Sequence, residues 1–510
     1  MSTSTGNTTS TPVTHHPEAR RRLGVTAITF MIIAASAPLT VLAGGVPTTL
    51  AITGIIGVPL SFVIIGVVLA LFVVGYVAMS RSVVNAGAFY AYVSQGSGRA
   101  AGVGAAMVAL VAYNAMQIGI YGLFGYTVAS QFQAWFGIEM PWWVPAIVGI
   151  VIAGVLGVNR VDLSAKVLGV LVALEFLVVT VYDVSAFAFA PEGVTFAPLQ
   201  PANLFVPGVG IVLASAFAAF MGFESGAIYG EEAKDHRRTV PRATYLAVAI
   251  IAIFYALSAW AMTLAAGPSQ VAEAAATQGP GLVFGFMAEH LGQLAADLAQ
   301  VLFITSVFAS FVSFHNAVAR YYFSLGREGV LPSKLGALGR RSGAPYVGSL
   351  TQTVTALVVV TGFVLASFSW TPPEGVPVSL FPILTLFAWL TTTGALGLVV
   401  LMLLVSIAVV GYFRKRPQDA TVWQRLAAPI LAALALSVTM VLVVVNFNTL
   451  LTSDPTAPPT VATFVLPALL AIAGVAGVVW GVILRRRSPE IYRRIGHGAD
   501  LEENRLIADS

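Results

Sequence analysis

Cysteine is absent from this chain of 510 residues, and charged side chains make up only 9% of it. The lack of cysteine excludes disulfide scaffolds, thiol chemistry and cysteine-ligated metal sites, and it fits any redox compartment. The scarcity of charge excludes an ordinary soluble domain, in which about 25% of residues are charged. With 57% hydrophobic residues and a mean hydropathy of +0.87, the composition predicts a polytopic membrane protein.

Sequence motifs for catalysis are also missing. The chain has no phosphate-binding loop, no HExxH, no serine nucleophile elbow and no paired aspartate motif. The segments between its apolar runs are too short to hold a soluble catalytic domain. These absences argue against a nucleotide-driven pump and against an intramembrane hydrolase, so we expect no enzyme activity, no metal and no cofactor.

Long apolar runs are what the sequence has in abundance. A hydrocarbon core of about 30 Å takes roughly 20 apolar residues per helix. Runs of this kind predict an all-α protein with twelve transmembrane helices, at about 24–47, 53–79, 101–132, 142–158, 162–190, 208–229, 242–266, 293–318, 347–369, 380–411, 427–447 and 462–484.

The basic residues test this count, because Lys and Arg concentrate in cytoplasmic loops. With the N-terminus inside, all 26 fall in cytoplasmic segments or at cytoplasmic helix ends, and the six external connections contain none. The pattern predicts a multi-pass protein of the cell membrane with both termini in the cytoplasm. The first apolar run follows Arg22 and is too long for a cleavable signal; residues 1–19 before it predict a disordered tail.

Two predicted spans are interrupted at equivalent places. Pro38 breaks the first span, and Gly222, which lies 184 residues later, breaks the sixth. Five spans separate these starts, so the two halves would have inverted topology. A single Pro or Gly often does no more than kink a packed helix. Paired breaks in inverted halves instead indicate a midplane site in a secondary transporter. Freed N–H groups there suit a carboxylate and freed carbonyl groups suit an ammonium or a cation, which fits a zwitterionic amino acid but does not single out amino acids.

Two carboxyl groups lie inside predicted spans, where an uncompensated charge is costly. Glu224 follows the break in the sixth span and is a candidate for carrying a proton through a transport cycle; the alternative is a structural carboxyl bonded to Ser225 or a neighbouring helix. Glu175 lies in the interior of the fifth span, without a cation in its own helix. A proton relay and a structural hydrogen bond explain Glu175 equally well.

A polar stripe follows one face of the third span. Asn114, Gln117 and Tyr121 are spaced at i, i+3 and i+7, with Tyr113 beside them. The stripe could line a substrate cavity, but amide side chains also bond transmembrane helices to one another. Both readings of Asn114 and Gln117 stay open.

Three segments together resemble the amino acid–polyamine–organocation (APC) transporter superfamily, and the resemblance spans nearly the whole chain. The segments are residues 85–92, NAGAFYAY; residues 220–243, from FMGFES to VPRA; and residues 315–332, which begin HNA and end LGREGVLP. The combination is specific, although each piece alone would be weak.

The resemblance implies alternating access and a five-plus-five inverted-repeat (LeuT-like) core with discontinuous helices 1 and 6, followed by two peripheral helices. The chain would divide into a tail (1–19), the transporter core (20–411), helices 11 and 12 (412–484) and a basic cytoplasmic tail (485–510). By position, the family's substrate-binding segments fall on Ser36, Ala37, Pro38, Leu39 and Thr40 and on Phe220, Met221, Gly222, Phe223 and Ser225. The acid that some proton-linked members use falls on Glu224.

Two positions depart from the family pattern. Glu175 stands where sodium-independent relatives often have a lysine, and Ala218 stands where some arginine exchangers place an aromatic residue. The resemblance therefore does not assign the coupling ion or a cationic substrate.

We expect a permease of the lipid bilayer that takes up an amino acid or a related amine, driven by an ion or solute gradient and most simply by protons. The alternative is an exchanger of amino acids or amines. A channel is disfavoured because the intramembrane polar residues cluster at the breaks, a receptor because no signalling domain is visible. Nothing in the sequence points to nucleic acid.

Overall fold

The computed structural model describes residues 23–83, 89–159, 165–224, 226, 233–339, 342–372, 374–452 and 457–496. Predictions for the tail at 1–19, for Ser225 and for residues after 496 lie outside these ranges. The described part contains helices, loops and one isolated bridge, between Leu23 and Ala233. Its helices are, in chain order, α1 Val25–Ser36, α2 Val46–Thr53, α3 Val58–Ser80, α4 Phe89–Gly96, α5 Arg99–Phe136, α6 Trp143–Asn159, α7 Ala165–Ala188, α8 Val209–Phe220, α9 His236–Ala266, α10 Val271–Gln278, α11 Gly281–Leu291, α12 Gln293–Glu328, α13 Tyr346–Ser367, α14 Ala388–Arg414, α15 Ala428–Val445, α16 Phe447–Thr452, α17 Val461–Arg487 and α18 Pro489–Arg494.

Within the described residues, ten helical stretches are long and apolar enough to cross a membrane. Two further predicted spans, at 142–158 and 208–229, correspond to the shorter apolar helices α6 and α8. The external connection predicted after the seventh span contains two short helices, α10 and α11. Both helices are too short to span a membrane, so a count of long apolar runs passes over them.

Helix α5 is the most deeply buried span, with 89% of its apolar window inside the protein. It packs against α12, α14 and α17. Glycines on α5 allow this close approach: a Cβ at Gly104 would lie 2.9 Å from the Gly474 carbonyl oxygen of α17, and one at Gly119 would lie 3.0 Å from the Thr391 side chain of α14. Small residues at such contacts are how transmembrane helices bring their backbones together.

The first span breaks just before Pro38. Helix α1 ends at Ser36, and Ala37 has φ 46° and ψ 74°, a left-handed conformation. Ala37 is the only non-glycine residue with positive φ in the described part of the chain. Pro38 has no N–H to continue the helical ladder, so the chain turns here and resumes as a π-helical segment, Thr40–Gly45, that runs into α2.

The sixth span breaks at Gly222. Helix α8 ends at Phe220, Met221 turns out of the helix with ψ 130°, and Gly222 has φ 110°. A Cβ at Gly222 would lie 3.0 Å from the Ala35 Cβ in the first span. Only glycine combines this backbone conformation with so close a neighbour. The two breaks are therefore in contact.

Candidate functional site

Glu175 reaches the first break from α7. Its Oε2 atom accepts a hydrogen bond from the Leu39 N–H at 3.1 Å and another from the Ser306 hydroxyl at 3.0 Å. The Thr40 hydroxyl lies 3.0 Å from the same Ser306 oxygen. The carboxyl group thus joins α7, the broken first span and α12.

Glu224 occupies the second break in a similar way. Its Oε2 atom accepts a hydrogen bond from the Gly222 N–H at 3.0 Å, and its Oε1 atom accepts one from the Tyr113 hydroxyl of α5. The Tyr76 hydroxyl donates to the Glu224 backbone carbonyl at 3.1 Å. Each break therefore has one backbone amide bonded to a buried carboxylate.

Neither carboxyl group has a cation beside it among the described residues, where the one ion pair is Arg238–Asp235 near the surface. Glu175 is 4% exposed and Glu224 is 3% exposed. A buried ionised carboxylate without a cation depends on hydrogen bonds and on aligned backbone dipoles. Both groups are therefore placed where gaining a proton would change the hydrogen bonds of a broken helix.

A cavity of about 800 Å³, part of it open to solvent, lies on the side of the breaks that the charge pattern predicts to be external. Of the residues predicted to contact substrate, Ser36, Thr40 and Met221 line it. The rest of the described wall comes from α1, the π-helical segment Thr40–Gly45, α2, α3, α5, α8, α12, α14 and α16. The cavity thus begins at both breaks and continues outward between the helices.

Among the described residues that line this cavity, none has a charged side chain. Its polar groups are hydroxyls, which include Ser215, Ser310, Thr391 and Thr392, set among apolar and aromatic side chains. Glu175 and Glu224 lie behind the lining; Glu175 connects to it through Ser306 and Thr40. The polar side chains of the described lining are therefore hydroxyls, and the two carboxyl groups lie one layer behind them.

Aromatic side chains pack on the opposite, inner side of the breaks. Phe223 contacts Phe72 and Tyr76, with ring centroids 6.0 and 6.4 Å apart. Tyr113 packs against Tyr321 with centroids 5.4 Å apart. These buried rings lie between the breaks and the side predicted to be cytoplasmic.

Several other predicted site residues lie next to the cavity but do not line it. Ala37, Pro38, Leu39, Gly222 and Phe223 shape the breaks themselves. Phe220 packs against Phe62 and Tyr255. The phenylalanines flanking the sixth-span break therefore pack against neighbouring helices on either side of it.

The polar stripe of α5 turns toward other helices. The Gln117 Nε2 atom lies 2.8 Å from the Tyr121 hydroxyl and 3.1 Å from His315 Nδ1, and its Oε1 atom accepts a hydrogen bond from Gln352. Asn114 donates to the Leu110 carbonyl at 2.7 Å. Gln117 thus joins α5, α12 and α13 instead of lining the cavity.

Two functional features escaped the sequence reading. Thr391 and Thr392 of α14 contribute hydroxyls to the cavity, and the run of three threonines at 391–393 within an apolar span was the available signal. The hydrogen bond from Tyr113 to Glu224 joins residues 111 positions apart, and the local sequence around either residue does not predict it.

A comparison with protein-family models decides the family. The amino acid permease model matches residues 27–491, which is nearly the whole chain. The chain belongs to the amino acid permease family. This confirms the resemblance to the APC superfamily that the three sequence segments indicated.

Curated proteins similar to this family member are related at low identity. The branched-chain amino acid permease BcaP of Lactococcus lactis is 24% identical over 221 residues, 42% of this chain and 45% of that protein. The lysine-specific permease LysP of the same organism is 29% identical over 154 residues, 29% of each chain. An uncharacterized transporter of Mycobacterium tuberculosis is 28% identical over 151 residues, 29% of this chain and 33% of that protein. The chain thus spans less than half the length of the curated relatives it matches.

Proposed function

We propose that this protein is a secondary active transporter that takes up an amino acid together with a proton. The observation that carries the proposal is the contact between the two breaks, Gly222 against Ala35, with a buried carboxylate bonded to an amide of each break. Discontinuous helices that meet near the membrane midplane supply both charges of a zwitterion with partners, because half-helix N-termini attract anions and C-terminal carbonyls attract cations.

Glu224 links the proton to the substrate. An ionised carboxylate only accepts hydrogen bonds, whereas a protonated one must also donate one. Protonation of Glu224 therefore weakens its hold on the Gly222 N–H or on the Tyr113 hydroxyl. An amide released at the break becomes available to a substrate carboxylate, so proton and substrate stabilise the same rearrangement.

The uncharged cavity favours a substrate with a neutral side chain. A lysine or arginine side chain entering this lining would lose its hydration without meeting a carboxylate, which costs several kcal/mol for an unpaired buried charge. Among the similar proteins, one is named for branched-chain amino acids and another for lysine; the cavity chemistry resembles what the first of these would need.

Reconstituted protein tests the proposal. We expect labelled neutral amino acids to accumulate in proteoliposomes when an inward proton gradient is imposed. Glu224→Gln should abolish the response to the gradient while leaving folding intact, because glutamine keeps the shape and cannot exchange a proton. Glu273→Gln, at an exposed position on α10, is the matched control and should behave as the parent does.

An exchanger is the second candidate, and the same preparation distinguishes it. Exchange would appear as uptake that needs amino acid inside the vesicles and ignores the proton gradient. Indifference to both the gradient and internal solute would refute symport and exchange together. An unchanged pH profile in Glu224→Gln would make the carboxyl group structural.

A further inference from the structure

A second cleft lies at the opposite end of the molecule from the substrate cavity, on the side that the charge pattern predicts to be cytoplasmic. The space in the cleft, counted together with the open solvent at its mouth, is about 910 Å³. Its walls are the end of α4, the beginning of α5, the residue after α14 and the C-terminal segment around α18. The substrate cavity shares none of these residues.

The charges around this cleft have one sign. Arg99, Lys415 and Arg485 line it, and its described lining contains no carboxylate. Glu328 lies behind the wall, where its oxygens accept hydrogen bonds from the Tyr90 hydroxyl at 3.0 Å and the Gly496 N–H at 3.3 Å. Three cations converging on one cleft repel each other unless an anion lies between them.

The floor of the cleft is the N-terminus of a long helix. Helix α5 has 38 residues, and Gly98 before it makes no side-chain capping bond. The Gly102 N–H closes the first turn by donating to the Gly98 carbonyl at 3.0 Å. The amides before Gly102 therefore have no helical acceptor. Such an end carries a partial positive charge and presents N–H groups to an anion.

Two buried polar groups at this helix end lack partners among the described residues. The Ser94 side chain, 6% exposed, has a hydroxyl without a hydrogen-bond partner, and the Arg99 Nε atom is also buried and unpaired. The Tyr492 ring lies 5.8 Å from the Arg99 guanidinium carbon and packs against it. Leaving a buried donor unpaired is costly, so the Ser94 hydroxyl and the Arg99 Nε atom beside the cleft point to a ligand that accepts their hydrogen bonds.

We propose that this cleft binds a phosphate group, held by Arg99, Lys415, Arg485, the Ser94 hydroxyl and the first amides of α5. Arginine forks and helix N-termini both match the geometry of phosphate oxygens. The ligand is either the headgroup of an anionic lipid, which is abundant at a cytoplasmic membrane surface, or a soluble phosphate. Bound phosphate would tie the C-terminal segment to α4 and α5.

Thermal unfolding of the full chain in nanodiscs tests this site. One arm uses phosphatidylcholine discs with added inorganic phosphate, against sodium chloride at equal ionic strength. The other arm compares phosphatidylcholine discs with discs that also contain phosphatidylglycerol. A ligand that binds the folded state raises its Tm saturably. We expect such a rise in at least one arm.

Arg485→Gln and Arg486→Gln form a matched pair, because both side chains are exposed at the same end of α17 and only Arg485 lines the cleft. We expect Arg485→Gln and Arg99→Gln each to weaken apparent affinity about tenfold, the effect of losing one charge-assisted hydrogen bond. Arg486→Gln should respond as the parent does. If Arg99→Gln does not fold, Lys415→Gln takes its place.

The two arms identify the source of the phosphate. A shift with inorganic phosphate that is lost in Arg485→Gln supports a soluble ligand, and a shift confined to phosphatidylglycerol discs and lost in the same variant supports a lipid headgroup. No shift in either arm, or equal shifts in Arg485→Gln and Arg486→Gln, overturns the site. None of these readings depends on amino acid transport.

Discussion

Gly222 is the residue on which the geometry of the site depends most directly. Its φ of 110° disfavours any L-residue, and a Cβ added at this position would lie only 3.0 Å from the Ala35 Cβ. We expect Gly222→Ala to lower the free energy of unfolding by about 1–3 kcal/mol, because an L-residue is strained at this φ and the breaks would have to separate. Thermal unfolding measures the loss of stability, and the uptake rate measures the effect of separating the breaks.

Gly362→Ala provides the control for that substitution. Gly362 lies within α13, is exposed, and has no atom within 4 Å of a built Cβ. A methyl group there should not destabilise the helix. Equal stability of the two variants would mean that the sixth-span break does not require glycine.

Substitution of Gln117 can distinguish the two roles that the sequence leaves open for it, which are lining the substrate cavity and bonding helices to one another. It is fully buried and bonds to Tyr121, His315 and Gln352. We expect Gln117→Leu to lower stability by about 1–3 kcal/mol, because polar partners stay buried without a bond, while the substrate concentration for half-maximal uptake stays unchanged. The exposed Gln278→Leu is the control. A loss of substrate affinity without a loss of stability would place Gln117 at the binding site.

At the level of single residues, sequence predicts the places where the backbone must break and misses the partners that fill them. The breaks at Pro38 and Gly222 can be predicted from the sequence because proline and glycine act on the local backbone. The Glu175 partner, Leu39 N–H, is 136 positions away. Such a pair depends on how α7 packs against the first span, and one sequence does not contain that information.

At the level of helices, the cavity is a property of the surfaces that several spans turn toward one another. Ser215 on α8 lies in its lining, which is uncharged. We expect Ser215→Asp to let lysine or arginine compete for uptake, because the new carboxylate would pair with a cationic side chain, and to weaken competition by leucine. Competition assays with a panel of amino acids measure the change.

Ser215→Asn is the matched control, since it has nearly the same shape as the aspartate variant and no charge. It should keep the preference of the parent for neutral side chains. Strong competition by basic amino acids for uptake by the parent protein would contradict the specificity argument. The transport proposal would stand in that case, because uptake would still occur.

Across the whole molecule, the predicted twelve spans illustrate what hydropathy can and cannot provide. It finds the ten long apolar stretches because each one is long and apolar enough to cross a membrane, including Val25–Thr53, whose backbone break at Ala37 does not interrupt the apolar run. It also predicts spans at 142–158 and 208–229, where the structure has the shorter apolar helices α6 and α8, whereas it gives no span for the short helices α10 and α11. The inverted relation of the two halves and the orientation in the bilayer stay predictions from symmetry and charge.

Alternating access requires the inner side of the molecule to open during transport. Because the chain has no cysteine, a pair of introduced cysteines can test this requirement. Leu23, before α1, pairs in parallel with Ala233, and the Lys234 N–H donates to the Leu23 carbonyl at 3.0 Å. If transport opens the inner side, this pairing has to separate. We expect a protein with both Leu23→Cys and Ala233→Cys to lose uptake on oxidation and to regain it on reduction, because two residues paired in a β-bridge lie close enough for a disulfide to join them. Each single variant should be indifferent to oxidant.

Substrate binding, measured as a thermal shift, should survive the cross-link, because the cavity opens on the other side. Full uptake by the oxidised double variant, with the disulfide verified, would show that the inner ends of the first and sixth spans move as one unit.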